Sequence, residues 1–486
     1  MTPEIRSKYQ AVIGLEVHAQ MLTKTKAYSS DINEFGATPN TNVSVVTLGH
    51  PGTLPKMNKK TVEYAIKLGL ACGSDIAEHQ NFDRKNYFYP DLPKGYQITQ
   101  DKTPICQNGS IFIKDADGND KEIKITRIHM EEDAGKSIHD VDVYDTLVDL
   151  NRAGVPLLEV VSEPDIRSSE EAYNYVTEVR KLVRYLEICD GNMEESSLRC
   201  DANVSVMLKD ATEFGTKVEV KNMNSIRNVQ KAIEFEITRQ IEAIENGEPL
   251  TQETRSFDAL KGITISMRTK EAAMDYRYFP EPDLLPIRIK QEQIEAIRKK
   301  MPPLPRELYL KYINELKLSE YDAFNLTDAK DIALYYEEVI KHTKNYKAAA
   351  NWVMGDVKSY LNQNGLEIEN FPIKPTTIAD LIAIIESGKV SSTVASQKIF
   401  PELLKNASWS PLELAESMNL IQESDEDSIL TYIEDVIRQH PDEVSRYKDG
   451  EKQLVGFFMG QLMKASKGKA DPKAANQLMR QTLDKL

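Results

Sequence analysis

Glu16 and His18 stand two residues apart in Ala11–Gln20, where Ile13, Leu15, Val17 and Ala19 alternate with Gly14, Glu16, His18 and Gln20. On a strand, residues i and i+2 point the same way, so a carboxylate and an imidazole can converge on one ligand. Taken alone, the pair also fits a solvated polar face. Two further segments give it weight. In Arg127-Ile-His-Met-Glu-Glu-Asp-Ala-Gly-Lys136, three consecutive acids end an expected strand and run into a glycine turn with a lysine beyond. Clustered carboxylates repel unless a cation sits among them or water screens them, so a cation site competes here with an exposed acidic loop. In Gly154-Val-Pro-Leu-Leu-Glu-Val-Val-Ser-Glu-Pro-Asp165, Glu159 interrupts an apolar run. Such a run reads as a buried strand, and a buried carboxylate must be paired. A bound cation or an arginine such as Arg152 would serve. Glu16, His18, Glu131 with its neighbours Glu132 and Asp133, and Glu159 make an oxygen-rich set with one imidazole. That set suits Mg2+ or Mn2+ and does not force zinc. An ion held this way serves phosphate chemistry.

Phosphate chemistry also needs cations. Arg84-Lys-Asn-Tyr-Phe-Tyr-Pro-Asp-Leu-Pro-Lys-Gly-Tyr-Gln97 offers Arg84, Lys85 and Lys94 among aromatics and turn formers. Such a loop can stack a base and contact phosphate, although tyrosine and proline are equally at home in a packed turn. The chain has no GxxxxGK[ST] loop, no GxGxxG after a strand and no GxSxG elbow. An ATP site would therefore not be a P-loop. His50 and His79 read as surface histidines.

These residues need a sheet to hold them. Leu198–Val206, Lys217–Lys221 and Ile263–Lys270 repeat the alternation of Ala11–Gln20, which predicts a mainly antiparallel sheet with one face on a core. Helices are predicted at 59–72, at 169–187 with Ser168 or Ser169 as N-cap, and at 225–246. Pro280–Pro305 holds six prolines around a short helix near 291–300 and reads as a domain boundary. A helical region follows, broken by glycine and proline. A second boundary near 406–411 precedes a small helical unit whose last strong helix is predicted over Gly450–Ser466. The expectation is an α+β protein with a sheet-based domain over 1–292, a helical domain over 293–408 and an all-helical tail over 409–486.

Composition narrows the class. A chain of 486 residues is too long for one core. No apolar run approaches the ~20 residues of a membrane helix, and Met1–Gln10 lacks the apolar centre of a signal peptide. Cys72, Cys106, Cys189 and Cys200 are widely spaced with no CxxC pair, so a reduced cytoplasm is expected, with neither a disulfide framework nor a structural zinc site. The net charge of −15 argues against coating nucleic acid by bulk electrostatics. Residues 445–486 depart from that balance, with nine Lys or Arg against four acids, a local +5.

At these residues the chain resembles a family. Ile13-Gly-Leu-Glu-Val-His-Ala-Gln20 is similar to the opening motif of the B subunit of aspartyl/glutamyl-tRNA amidotransferase. The likeness continues through Arg84–Gln97, Arg127–Lys136, Asn151–Asp165, Arg199-Cys-Asp-Ala-Asn-Val-Ser205, Glu219-Val-Lys-Asn-Met-Asn-Ser225 and Asp275–Asp283. It ends at Gly456-Phe-Phe-Met-Gly-Gln-Leu-Met-Lys-Ala-Ser-Lys-Gly-Lys469 and spans nearly the whole chain. The resemblance implies a heterotrimer with an amidase A subunit and a small C subunit. It implies that this chain binds Glu-tRNA(Gln), and in many organisms Asp-tRNA(Asn), and phosphorylates the side-chain carboxylate with ATP. Ammonia from the amidase then displaces phosphate. The implied Mg2+ ligands are Glu16, His18, one acid of Glu131-Glu132-Asp133 with Glu131 preferred, and Glu159. Implied nucleotide contacts are Arg84, Lys85, Lys94, Arg199, Asp201 and Lys221, and the implied tRNA contacts of the tail are Lys464, Lys467 and Lys469. One departure stands out. Some members carry zinc-spaced cysteines in the region matching Ala27–Thr47, where this chain has Tyr28, Ser29, Ser30, Ser44 and Thr47. No zinc is expected, and another device must brace that loop. His50 also stands where the family more usually has an apolar residue.

Overall fold

The alternating segment Tyr9–Gln20 lies at the centre of a ten-stranded sheet. Leu198–Leu208 pairs with it on one side and Pro156–Ser162 on the other, both antiparallel. Val218–Lys221, Glu253–Asp258 and Ile263–Thr269 continue outward beyond the first of these. Asp120–Glu132 lies beyond the second, followed by Cys106–Gln107 and Asp75–Ile76, and Ser110–Lys114 also pairs with it. Among the described residues only Val218–Lys221 and Glu253–Asp258 run parallel. The computed structural model describes residues 2–139, 141–269, 276–421, 426–466, 470 and 472–486. Lys467 and Lys469, with Lys270 and Asp275, lie outside the described residues.

The apolar half of each alternation forms the core. Ile13, Leu15, Val17 and Ala19 are buried together with Leu198, Cys200, Ala202 and Val204. Tyr175, Val176, Val179 and Val183 of helix Ser169–Tyr185 join the same cluster, as do Val229, Ile233, Ile237 and Ile241 of helix Ile226–Glu245. Ser168 caps the first of these helices by accepting the Glu171 N–H, and Ser225 caps the second by accepting the Asn228 N–H. Full burial of a side chain of this size is worth about 1.5–3 kcal/mol. A one-residue slip of the central strand would turn Leu15 out and Glu16 in, so the core fixes which face the polar residues share. All four cysteines are free and buried.

The chain divides into two compact units, Met1–Pro305 and Arg306–Leu486. The second is helical among its described residues. Its last part has its own core, in which Ile429, Ile433, Phe458, Leu462, Ala475, Met479 and Leu483 meet. The helix expected over Gly450–Ser466 is shorter, Val455–Ala465, after a 3-10 turn at Lys452–Leu454. Gly450 has φ +111°, outside any α-helix, which explains the later start. A further helix, Pro472–Lys485, was not anticipated, because Ala475, Met479 and Leu483 form only a thin apolar stripe. No described helix is long and apolar enough to cross a membrane.

Candidate active site

The polar half of the alternation makes one continuous surface. Strand register sets His18 opposite Glu159 on one side and Arg199 on the other. Glu159 is in turn opposite His129, and Glu16 is opposite Asp201. Glu159 therefore sits between two imidazoles: His18 Nε2 is 3.3 Å and His129 Nε2 3.2 Å from the same oxygen, Oε2. Glu131 Oε1 is 3.9 Å from His18 Nε2. Asn203 Nδ2 donates to Glu16 Oε1 at 2.8 Å. Glu16, His18, His129, Glu131 and Glu159 line a cleft of ≈ 360 Å³, with Lys85, Arg127, Asp201, Glu219, Lys221, Gln252, Tyr276 and Tyr278 on its other walls.

Two carboxylate clusters share this cleft. In one, ligand atoms of His18, Glu131 and Glu159 lie within 4.8 Å of one another; in the other, those of Glu16, Asp201 and Glu219 do. The four ligands expected as one set thus divide, with Glu16 facing a second trio. Each trio has the oxygen-rich donor chemistry that divalent cations bind. Glu131 Oε2 is buried with no hydrogen-bond partner among the described residues, which fits a cation-ligand role. The two trios also differ in charge balance. Lys221 Nζ contacts Asp201 at 2.5 Å and Glu219 at 3.1 Å. Burial and then the charge of Glu159 raise the Glu16 pKa. Glu159 goes the other way: burial opposes its ionisation, but His129 and His18 hold it well below the ordinary carboxylate range. Burial alone would lower the pKa of His18, and Glu159 reverses that shift to a net rise. For Lys85 burial likewise favours the neutral form, and Glu131 and Glu159 outweigh it.

The structure brings Glu16, His18, Lys85, Glu131, Glu159, Asp201 and Lys221 together and leaves Arg84, Lys94 and Arg199 outside the cleft lining. Arg84 is held by Glu281 at 2.7 Å and Asp283 at 3.1 Å, with its guanidinium 4.2 Å from the Tyr96 ring centre. Lys94 pairs with Glu132 and lines a separate small pocket with Ser29, Thr47 and His50. Arg199 pairs with Asp133 at 3.0 Å. The three consecutive acids thus have three environments, and Glu131 alone of them faces the cleft. Arg152 is not the partner of Glu159. It stands in the turn before that strand, donates to the carbonyls of Ala134 and Gly135, and lies 3.7 Å from Asp133. Lys464 is exposed near the end of helix Val455–Ala465 in the second unit.

Arg127, His129, Glu219 and Gln252 are among the cleft residues that the sequence did not single out. The first two were within reach of the rule that paired Glu16 with His18. Arg127, His129 and Glu131 are spaced i, i+2, i+4 on strand Asp120–Glu132 and share its face. Among the described residues Arg127 makes no ion pair, and its guanidinium reaches only the Asp101 carbonyl, at 3.4 Å.

Asp31 braces the loop where zinc-spaced cysteines are missing. Its Oδ2 accepts the Ser44 N–H and the Ser44 hydroxyl at 2.9 Å each, and the Thr47 hydroxyl at 2.5 Å. Nearby, the buried Lys26 donates to the Asn42 carbonyl at 2.7 Å. Burial would raise the Asp31 pKa, but the donors on Thr47 and Ser44 bring it below the usual value. A depressed folded pKa means that the stabilisation is present above about pH 3.9, the ordinary aspartate value, and lost as pH falls through the folded value. Asp31→Ala is expected to cost about 1–3 kcal/mol at pH 7. The gap from wild type, read by urea unfolding, should persist down to about pH 4 and close below it. A gap that stays constant at lower pH would exclude the carboxylate as the brace.

Comparison with known proteins identifies the family. Residues 11–295 match the family model described as the GatB/GatE catalytic domain, and residues 334–483 match the one described as the GatB domain. The first match includes every residue that lines the cleft. The chain is 49% identical to the B subunit of the aspartyl/glutamyl-tRNA(Asn/Gln) amidotransferase of Trichodesmium erythraeum, over 99% of each chain. It is 50% identical to the protein of the same name from Persephonella marina, over 98% of this chain and 100% of that one. With the protein of that name from Thermosynechococcus vestitus it shares 50% identity over 98% and 97% of the two chains. On the fold, the cleft and these full-length matches, the chain belongs to the family of aspartyl/glutamyl-tRNA(Asn/Gln) amidotransferase B subunits.

Proposed function

We propose that this chain is the component of a glutamine-hydrolysing amidotransferase that binds Glu-tRNA(Gln), and Asp-tRNA(Asn), and activates the aminoacyl side chain with ATP. The observation that carries this reading is the meeting of two carboxylate-rich trios in one cleft with half-buried Lys85 and with Arg127, which makes no ion pair among the described residues. A carboxylate is a poor acyl donor because its leaving group is oxide. Attack of its oxygen on the γ-phosphorus of ATP forms a C–O–P linkage and releases ADP. Ammonia then attacks the acyl carbon, the C–O bond to phosphate breaks, and amide, phosphate and a proton result.

The chain's residues divide this work. His18, Glu131 and Glu159 would hold one divalent cation, and Glu16, Asp201 and Glu219 a second. Mg2+ held by these residues would offset charge on the transferring phosphoryl group. Lys85 and Arg127 supply fixed positive charge to the phosphates, and Tyr276 and Tyr278 line the wall. The activated acyl group hydrolyses in open water, which favours delivery of ammonia from a partner amidase A subunit in a heterotrimer with a small C subunit. Lys464, with Lys467 and Lys469, belongs to the locally basic tail that contacts tRNA. The cytoplasm, where tRNA is charged, is the matching compartment.

The assembled complex tests this reading directly. Glu-tRNA(Gln) should be converted to Gln-tRNA(Gln) only with ATP, Mg2+ and an amide donor, and ADP release should rise when charged tRNA is added. ADP release indifferent to charged tRNA would overturn the proposal.

A further inference from the structure

His129 is buried beside the cation-ligand trio, yet the chemistry above gives it no task. It is 3% exposed on strand Asp120–Glu132. Its Nε2 lies 3.2 Å from Glu159 Oε2 and 4.0 Å from Glu131 Oε2. Its Nδ1 is buried and has no hydrogen-bond partner among the described residues. This asymmetry fixes the tautomer. A proton on Nδ1 would be a buried donor with nothing to receive it, a defect of about 1–3 kcal/mol. A proton on Nε2 points at a carboxylate. The neutral ring therefore carries its hydrogen on Nε2 and donates it to Glu159.

His18 cannot share that arrangement once a cation is present. Its Nε2 is 3.3 Å from the same Glu159 oxygen, and it is the nitrogen that reaches the trio. An imidazole nitrogen must be free of its proton to bind a metal. Glu159 Oε2 then loses its contact with a His18 N–H and keeps the one from His129.

We propose that His129 is a positioning residue: its Nε2–H fixes the Glu159 carboxylate, so that His18, Glu131 and Glu159 form a cation site containing one imidazole. The inference rests on the reading of that trio as a cation site. Removing such an outer hydrogen bond typically weakens metal affinity 10- to 100-fold.

Mn2+ replaces Mg2+ as a paramagnetic probe, added without nucleotide to the assembled complex. Electron spin echo modulation counts nitrogens on the ion, and the all-oxygen trio of Glu16, Asp201 and Glu219 contributes none. The wild type should show one imidazole, and His18→Gln should abolish that signal. His129→Gln, whose amide N–H can replace Nε2–H, should keep one imidazole with Mn2+ affinity within about threefold of wild type. His129→Ala should weaken Mn2+ binding by about 10- to 100-fold, with an unfolding midpoint measured alongside to exclude gross loss of fold.

Two imidazoles in the wild type, one of them lost in His129→Gln, would make His129 a ligand and overturn the proposal. Equal affinity in wild type and a folded His129→Ala would overturn it as well. If His129→Ala does not fold, weakened affinity in His129→Gln overturns it and retained affinity with one imidazole supports it. Absence of nitrogen coupling in the wild type would instead remove the cation from this trio, a failure of the underlying reading that is distinct from the other outcomes.

Discussion

Glu159→Gln is expected to lower charged-tRNA-dependent ATP cleavage and amide formation by about 10²–10³-fold, or about 3–4 kcal/mol of barrier. The substitution keeps shape and removes one charge. That charge has three dependants. Glu159 completes the trio with His18 and Glu131. It holds the imidazoles of His18 and His129, at 3.3 and 3.2 Å. With Glu131, it also keeps Lys85 charged against the pull of burial. A glutamine amide satisfies none of these electrostatically, and it offers the imidazole N–H groups only a neutral acceptor. Glu16→Ala should lower the same two activities through the other trio, since Asn203 holds Glu16 toward Asp201 and Glu219. The check is single-turnover ADP release with Glu-tRNA(Gln), with thermal unfolding measured in parallel. Glu159→Gln protein that is folded and within threefold of wild type would remove Glu159 from the chemistry.

How far this cleft was legible in the sequence depends on how local each signal is. The period-2 alternation at Ala11–Gln20 is local, and it gave a strand with Glu16 and His18 on one face. Glu159 within an apolar run is local too, and the run is the buried strand Pro156–Ser162. The partner of Glu159 is not local. Arg152 was the nearby cation in sequence, but turn residues point by turn geometry, and it faces Asp133. The real neighbours, His18 and His129, arrive from other strands through a register that no single segment encodes. The same limit explains Arg84, Lys94 and Arg199. Arg84 and Lys94 stood out by residue type and Arg199 through the resemblance, and each is paired with an acid distant in sequence. The division of the expected ligands into two trios needed Glu219, which enters from a strand paired beyond Leu198–Leu208. The bracing of the 27–47 loop was legible only as a question, because Asp31 gives no sign in sequence that Ser44 and Thr47 will turn toward it.

Asp133→Ala is expected to destabilise the sheet-based unit by about 3 kcal/mol. Asp133 is 4% exposed and joins three partners: Arg199 at 3.0 Å, Gln20 Nε2 at 2.9 Å and Arg152 at 3.7 Å. Burial would raise its pKa, but Arg199 and Arg152 outweigh burial and hold it below the ordinary value. Its contribution is therefore complete above about pH 3.9 and is lost as pH falls through the lower folded value. Removing the carboxylate leaves two guanidinium groups facing each other's charge with no anion between them. Both arginines are about 30% exposed, at 31% and 29%, so water screens part of that penalty and the value belongs at the low end for a broken buried pair. The loss should also reach the cleft, because Arg199 is the register partner of His18. Trp352 and Trp409 both lie in the second unit, so tryptophan fluorescence would not see this event. Amide hydrogen exchange along Tyr9–Gln20 would see it. Protection there should fall by about 100-fold in Asp133→Ala, the equivalent of about 3 kcal/mol, and Asp133→Asn should retain part of it through the Gln20 hydrogen bond. Protection within threefold of wild type in Asp133→Ala would show that the two arginines do not depend on this carboxylate.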